Sequence, residues 1–249
     1  MRFWRKSTPL CKPNVVMTLP PRLQAIANLI PPGSRVADVG TDHGLLPLYL
    51  LSEKRAAFVV ATDIALGPLQ AAKENTRRLG VTKGLDFRLA DGLNAVSPDE
   101  VDVIVIAGMG GETMCNILST APWITDAPYR ILLQPQSKLP ELLDFLAHAG
   151  YEVWDQHLAA ETGRIFTILE VYTEKMRPAG AQPPPKGGFR YVCPQILKRG
   201  DALLGAYLDG LIRKLSRTLE GMGNAVAPSS KQDALQQTLS DIEKWRRTQ

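Results

Sequence analysis

The chain has 249 residues, 45% apolar and 22% charged, with a formal net charge of +4. That length accommodates one domain of about 175 residues plus a smaller appendage, and no apolar run approaches the ~20 residues of a membrane span. Cys11, Cys115 and Cys193 lie far apart and outside any Cys/His cluster, which argues against a disulfide framework or a zinc site and for a reducing cytoplasm.

The basic N-terminus lacks the apolar core of a secretory signal. Pro20-Pro21 then precedes a helix that places Leu23, Ile26, Ala27 and Ile30 on one face. Pro31-Pro32-Gly33 ends it. Val36 to Val39 reads as a buried strand running into a turn at Gly40, and Leu45 to Leu51 as the helix that follows. A strand from Ala57 to Thr62 ends in Asp63. Next come a helix from Ala65 to Leu79 and a strand from Leu85 to Leu89 leading into Ala90-Asp91-Gly92. A β-branched strand, Val101 to Ala107, leads to Gly108-Met109-Gly110-Gly111 and a helix. Arg130 to Leu133 is a fifth strand followed by a helix. Two final strands, Tyr151 to Leu158 and Arg164 to Tyr172, flank the loop AAETG and can pair antiparallel. Five βα units and a closing hairpin predict an α/β sheet with helices on both faces.

A Pro/Gly linker at 177–188 separates residues 1–176 from a tail at 189–249. In the tail, Leu204, Leu208, Leu211, Leu215, Leu219 and Met222 repeat with coiled-coil-like spacing, and a second helix carries Leu235, Leu239, Ile242 and Trp245. Charge divides at the same place: residues 1–174 hold 16 Lys and Arg against 19 Asp and Glu, and residues 175–249 hold 13 against 6. A basic appendage is read either as the footprint of a polyanionic partner or as a solvated helical surface.

In an open α/β sheet, ligands bind beyond the carboxyl ends of the strands. Four turns fall there: Gly40 to Gly44, Asp63-Ile64, Ala90 to Leu93, and Gly108 to Gly111. Asp63 follows Gly40 by 23 residues, the position of a ribose-binding acid. Asp91 is placed to receive an exocyclic amine, beside Gly92, which admits a flat ring. The bland alternative is that these acids cap helices. The first turn lacks GxGxxG and carries Asp42 and His43, and a carboxylate there repels a diphosphate. A cationic nucleoside with an amino-acid tail fits better. S-adenosylmethionine meets that description.

These stretches are specific together. VADVGTDHGLLPLYL, ATDI, LADGL, IAGMGGETM, ILLQPQS and GRIFTILEVY resemble the TrmK family of bacterial tRNA (adenine(22)-N(1))-methyltransferases, from about Leu19 to Tyr172. The resemblance implies a class I, Rossmann-like methyltransferase sheet with a C-terminal coiled-coil hairpin, S-adenosylmethionine as donor and tRNA as acceptor. It places Asp38, Gly40, Thr41, His43, Asp63, Ile64, Asp91, Gly92, Gly108, Met109 and Gly110 at the donor. Gly44 replaces the family's alanine, expected to be harmless, and Cys193 replaces a glycine before Pro194.

Adenine N1 carries a lone pair, so the protein mostly has to position two reactants and stabilise the charge that appears on the base. Asp42 is the catalytic candidate; the rival role is anchoring the donor's ammonium group. His43 either orients Asp42, contacts a ligand or makes a structural hydrogen bond. Gly111, Gln134 and Gln136 are candidates to meet the target base. The (Asp/Asn/Ser)-Pro-Pro-aromatic tetrad common in exocyclic-amine methylation is replaced by Ala107-Gly108-Met109-Gly110, which favours a ring nitrogen. Arg190, Lys198, Arg199, Arg213, Lys214 and Arg217, with Arg246 and Arg247, are candidates for tRNA phosphates; a dimerising or self-packing hairpin is the alternative. The expected state is a cytoplasmic monomer or weak dimer without metal. Two other functions fit: a small-molecule methyltransferase with an oligomerising tail, and an inactive RNA-binding scaffold.

Overall fold

The computed structural model describes residues 17–81, 83–173, 191–222 and 230–249. Its centre is a seven-stranded sheet ordered β3-β2-β1-β4-β5-β7-β6, formed by β1 (Ser34–Val39), β2 (Ala56–Asp63), β3 (Leu85–Leu89), β4 (Val103–Gly110), β5 (Arg130–Ser137), β6 (Tyr151–Glu161) and β7 (Arg164–Thr173). The first five strands are mutually parallel, and β7 runs antiparallel between β5 and β6. The expected α/β sheet and closing hairpin are present. The hairpin's second strand is inserted beside β5, which leaves β6 at the edge.

Alternation along β1 divides the core. Val36 joins Ile26 and Ala27 of α1 (Pro21–Leu29) and Leu46 and Leu50 of α2 (Leu45–Ser52). Ala37 and Val39 join the opposite layer, which holds Met114 and Leu118 of α4 (Gly111–Ser119) and Leu142 and Leu146 of α5 (Leu139–His148). The helix α3 (Leu66–Leu79) buries Leu69 and Ala72. Each fully buried aliphatic side chain contributes about 1.5–3 kcal/mol, and the central strands are covered on both faces.

Two strands run further than their composition predicts. β4 continues through Gly108-Met109-Gly110, pairing irregularly with Pro135 and Ser137 of β5, so these residues are a strand end rather than a loop. β6 extends to Glu161, and the expected AAETG loop contracts to Thr162-Gly163. Both residues have positive φ, 49° and 75°, as a type I′ hairpin turn requires. Threonine gives no hint of that conformation.

The tail comprises α6 (Pro194–Arg199), α7 (Leu204–Met222) and α8 (Ser230–Arg247). Leu204, Leu208, Leu211 and Leu215 of α7 pack with Leu239 and Ile242 of α8 and with Leu158 of β6. Leu158 brings the sheet into the tail's core. The 177–188 linker and Arg190 lie outside the described residues.

A buried glutamine fixes the tail to the sheet. Gln156 of β6, 1% exposed, donates through Nε2 to Thr167 Oγ1 at 2.7 Å and to the Tyr207 hydroxyl at 3.1 Å, and its Oε1 accepts from the Cys193 amide at 3.0 Å. Arg199 reaches back to Asp155 Oδ2 at 2.6 Å and to the Gln156 carbonyl at 2.7 Å. Arg199, expected at tRNA phosphates, is therefore a tie between tail and sheet. Arg246 is likewise held by Asp209, joining α8 to α7.

A buried polar group stripped of its partners costs 1–3 kcal/mol. Gln156→Leu leaves the Cys193 amide without its acceptor and removes two side-chain bonds. It should lower unfolding stability by about 2–4 kcal/mol, read by urea denaturation, and speed proteolysis within the tail.

Candidate active site

The chain order reverses at β1, which lies between β2 and β4. The strand ends there splay around a cleft of about 530 Å³, within the range of ligand pockets. Asp38 to His43, Asp63-Ile64, Ala90 to Gly92 and Ala107 to Met109 line it, so the four segments expected at one sheet edge do converge, the fourth as the end of β4.

Asp63 holds two of them in register. Its Oδ1 accepts from the Ala65 amide at 2.9 Å and its Oδ2 from the Asp42 amide at 3.2 Å. Each oxygen retains a lone pair for a further donor. Asp42 has a φ of 51°, a conformation that non-glycine residues rarely adopt. It projects its carboxylate outward, 70% exposed, with His43 Nε2 at 3.6 Å. The His43 carbonyl accepts from Asn75 at 3.0 Å. Beside them Ile64 is 71% exposed, an apolar surface at the rim. The third turn is held from beneath, where the Thr62 hydroxyl donates to the Gly92 carbonyl at 2.9 Å.

Asp38 sits deeper. Burial pushes its carboxyl up to about 6, despite the nearby Thr41 hydroxyl. Thr41 is buried as well, and among the described residues its Oγ1 has no hydrogen-bond partner. A carboxylate in low dielectric favours a cation, and an orphaned buried hydroxyl calls for a polar partner. The donor set fits a cationic ligand with polar ends.

Several expected site residues have other work. Gln134 is fully buried; its Oε1 accepts from the Gly108 amide at 3.2 Å and its Nε2 donates to the Pro135 carbonyl. It shapes the end of β4 instead of facing a base. Gly111 is buried at the start of α4, where a Cβ would overlap the Lys138 carbonyl. It permits close packing rather than substrate contact. Gly110 is not among the cleft-lining residues, and a Cβ there would meet Ser137 Oγ at 3.1 Å. The bare face of Gly40 receives the Met109 methyl group, so its glycine is needed by the protein itself as well as by any ligand. Gly44 has φ of 71°, and a Cβ would lie 2.9 Å from that of Ala72. The Gly44 difference is consequential in this chain, because alanine would be both strained and crowded.

The cleft also takes in Arg22 and Leu23 from α1, Thr113 and Ile117 from α4, and Gln136 from the end of β5. Of these only Gln136 stood out in the sequence. Arg22 reads as an ordinary cation in the first turn of a helix, and only the packing of α1 across the sheet brings it here. Among the described residues no group of three His, Cys, Asp or Glu could hold a metal ion, and no helix is long and apolar enough to cross a membrane.

Because the folded pKa of Asp38 lies above its ordinary value, its stabilising contribution is full below pH ~4 and lost as pH climbs through about 6. Asp38→Asn should therefore raise stability at pH 7.5 by roughly 2–3 kcal/mol, with the gap closing toward pH 4.5 in urea titrations. Gly44→Ala should cost about 1–2 kcal/mol in the same measurement.

A family model described as a methyltransferase domain matches residues 19–169. The tRNA (adenine(22)-N(1))-methyltransferase of Bacillus subtilis is 32% identical over 153 residues, 61% of this chain and 64% of that protein. The chain thus spans just under two thirds of that relative's length. The structure of Streptococcus pneumoniae Sp1610 in complex with S-adenosyl-L-methionine superposes with a TM-score of 0.73 at 26% identity, covering 90% of this chain and 98% of that one. The Bacillus subtilis m1A22 tRNA methyltransferase TrmK gives 0.73 at 24% identity, covering 93% and 98%, and shares the fold. These likenesses uphold the TrmK resemblance carried by the motifs, and with a domain match over more than half its length the chain belongs to the methyltransferase-domain family.

Proposed function

We propose that this protein is an S-adenosylmethionine-dependent methyltransferase that places a methyl group on N1 of an adenosine in tRNA, at the position named for its Bacillus subtilis relative. The observation that carries the reading is the convergence of Asp38, the unpartnered Thr41 hydroxyl, Asp63 and Asp91 on one half of a single cleft, opposite the ends of β4 and β5.

On the β1–β2–β3 half, the remaining lone pairs of Asp63 suit ribose hydroxyls, and Ile64 offers an apolar face to a purine. Asp91 and Gly92 suit its amino edge. Asp38 and Thr41 suit the charged amino-acid end. The bound donor would supply a methyl group on a sulfonium, which the neutral N1 of adenine takes through its lone pair without prior deprotonation. The protein's part is placement and charge balance. Asp42, exposed at the cleft, is the group we assign to the positive charge that passes to the base. Preorganised groups of this kind act strongly once water is excluded.

Residues 1–176 form the donor-binding domain in this reading, and 189–249 a coiled-coil hairpin that holds tRNA. Lys198, Arg213, Lys214 and Arg217 are exposed and lie on α6 and α7. Arg213 and Arg217 are one helical turn apart, so they share a face. Arg247, one turn from Glu243 at 3.8 Å, belongs to the same basic tail.

The test is methyl transfer from labelled S-adenosylmethionine to bacterial tRNA lacking this modification, followed by nucleoside analysis. The expected product is 1-methyladenosine. Labelled small molecules with untouched tRNA would overturn the reading, and so would donor binding without transfer. Asp42→Asn should lower kcat roughly 10- to 10²-fold while donor affinity stays within about 2-fold of wild type. A larger loss of donor affinity than of kcat would assign Asp42 to the donor instead.

A further inference from the structure

The cleft is electrostatically one-sided. Its lining carries four carboxylates, Asp38, Asp42, Asp63 and Asp91, and one guanidinium, that of Arg22. The carboxylates come from the carboxyl ends of β1 and β2 and the turns after β1 and β3. They suit a cationic donor and repel a nucleic acid backbone. A polyanionic acceptor entering the other half of the cleft meets a single fixed cation among the lining residues.

Arg22 is built into that position. It stands in the first turn of α1, which crosses β6 and β7 on the side of the sheet away from α4 and α5. Glu161, at the end of β6, grips it twice: Oε2 accepts from the Arg22 backbone amide at 3.1 Å, and Oε1 lies 3.4 Å from Nε. Both side chains are about four-fifths buried. This clamp uses the inner nitrogen of the guanidinium. Among the described residues no hydrogen bond engages Nη1 or Nη2.

The outer end points at the acceptor side. Arg22 Nη1 lies 3.9 Å from where a Cβ on Gly108 would stand, and Gln136 Nε2 lies 3.7 Å from the same point. Gly108, at φ of 80°, presents bare backbone there. Two donor groups from different elements thus face one open space at the ends of β4 and β5. A guanidinium whose Nη1 and Nη2 are both free presents its end-on pair of N–H groups, which matches two phosphate oxygens through parallel hydrogen bonds. A glycine floor leaves room for the sugar and base that accompany it.

We infer that Arg22 is the phosphate-binding residue of the acceptor half-site: it holds the backbone phosphate of the nucleotide whose base enters the cleft, with Glu161 as its positioning residue. The inference rests on the tRNA reading above and deepens it. A target base withdrawn from its stack needs its backbone fixed at the cleft mouth. Arg22 supplies that contact from within the catalytic domain, independently of the helical tail.

The experiment compares full-length wild type with Arg22→Gln, Arg22→Lys and Glu161→Gln. It reads kcat and KM for tRNA, donor affinity, thermal unfolding, and the slope of log affinity for tRNA against log salt. Arg22→Gln should raise KM for tRNA about 10-fold or more and flatten the salt slope by roughly 0.7–0.9, with donor affinity within about 2-fold. Arg22→Lys should restore the slope, because the charge returns, but not the full affinity, because the fork does not. Glu161→Gln should keep the slope near wild type. If Arg22→Gln lowers thermal stability while KM and salt slope stay at wild type, Arg22 merely straps α1 to β6, and this inference alone fails. A wild-type protein that neither binds nor methylates tRNA overturns the inference together with the tRNA reading.

Discussion

Strand β1 is hydrogen-bonded on both sides, by β2 and by β4, and the rest of the structure depends on that pairing. Parallel strands with crossover helices send successive chain segments outward in both directions from it. The ends of β1 and β4 therefore part, and the helices that follow them leave a crevice. The same pairing occupies both edges of β1, while helices cover its two faces. Its cleft residues lie at the carboxyl end, Asp38 and Val39, and in the turn beyond it. Asp63 then fixes one turn against another through two backbone amides, which explains why an acid at that place serves folding before it serves any ligand.

The cleft stores unfavourable electrostatics. Among the described residues no cation pairs with the buried Asp38, whose carboxyl is raised to about 6, and none supplies a hydrogen bond to the buried Thr41 Oγ1. A protein selected for stability alone would place apolar groups at both positions. Sites that bind charged ligands routinely carry such a cost, because the ligand offsets it on binding. The contrast with Glu170 is instructive. Burial disfavours its charge too, but His157, Tyr172 and Arg130 together outweigh that and hold its carboxyl down at about 2. One buried acid is satisfied within the protein, and the other faces the cleft.

That satisfied acid belongs to the region where the tail joins the sheet. Arg130 Nη2 lies 2.7 Å from Glu170, which pairs across the β6–β7 ladder with Asp155; Asp155 in turn holds Arg199 of α6. Gln156 completes the joint from the next residue along β6. Two carbonyls of the edge strand are engaged here, that of Trp154 by the Cys193 thiol and that of Gln156 by Arg199, and α6 is fixed to the sheet before α7 begins. The tail is part of the sheet's own packing, through Leu158, as well as an appendage beyond it.

The sequence by itself determined the strand order along the chain, the helical faces and the turns after β1, β2 and β3, because hydrophobic periodicity and glycine punctuation are local. It also carried Asp38, Asp63, Asp91 and Asp42 as cleft residues, since each lies within three residues of a strand's carboxyl end. What only the tertiary structure decided concerns residues whose partners are remote in sequence. Arg22 meets the cleft through Glu161, 139 positions away. Gln134, chemically apt for a base, turns inward to the Gly108 amide. Arg199 and Gly111 carry side-chain chemistry or freedom that local reading assigns to substrate, yet Asp155 and the Lys138 carbonyl claim them. Insertion of β7 beside β5 and the positive φ of Thr162 follow from sheet pairing, a non-local interaction. A side chain's type limits what it can bind; which group it binds is settled by what the fold puts beside it.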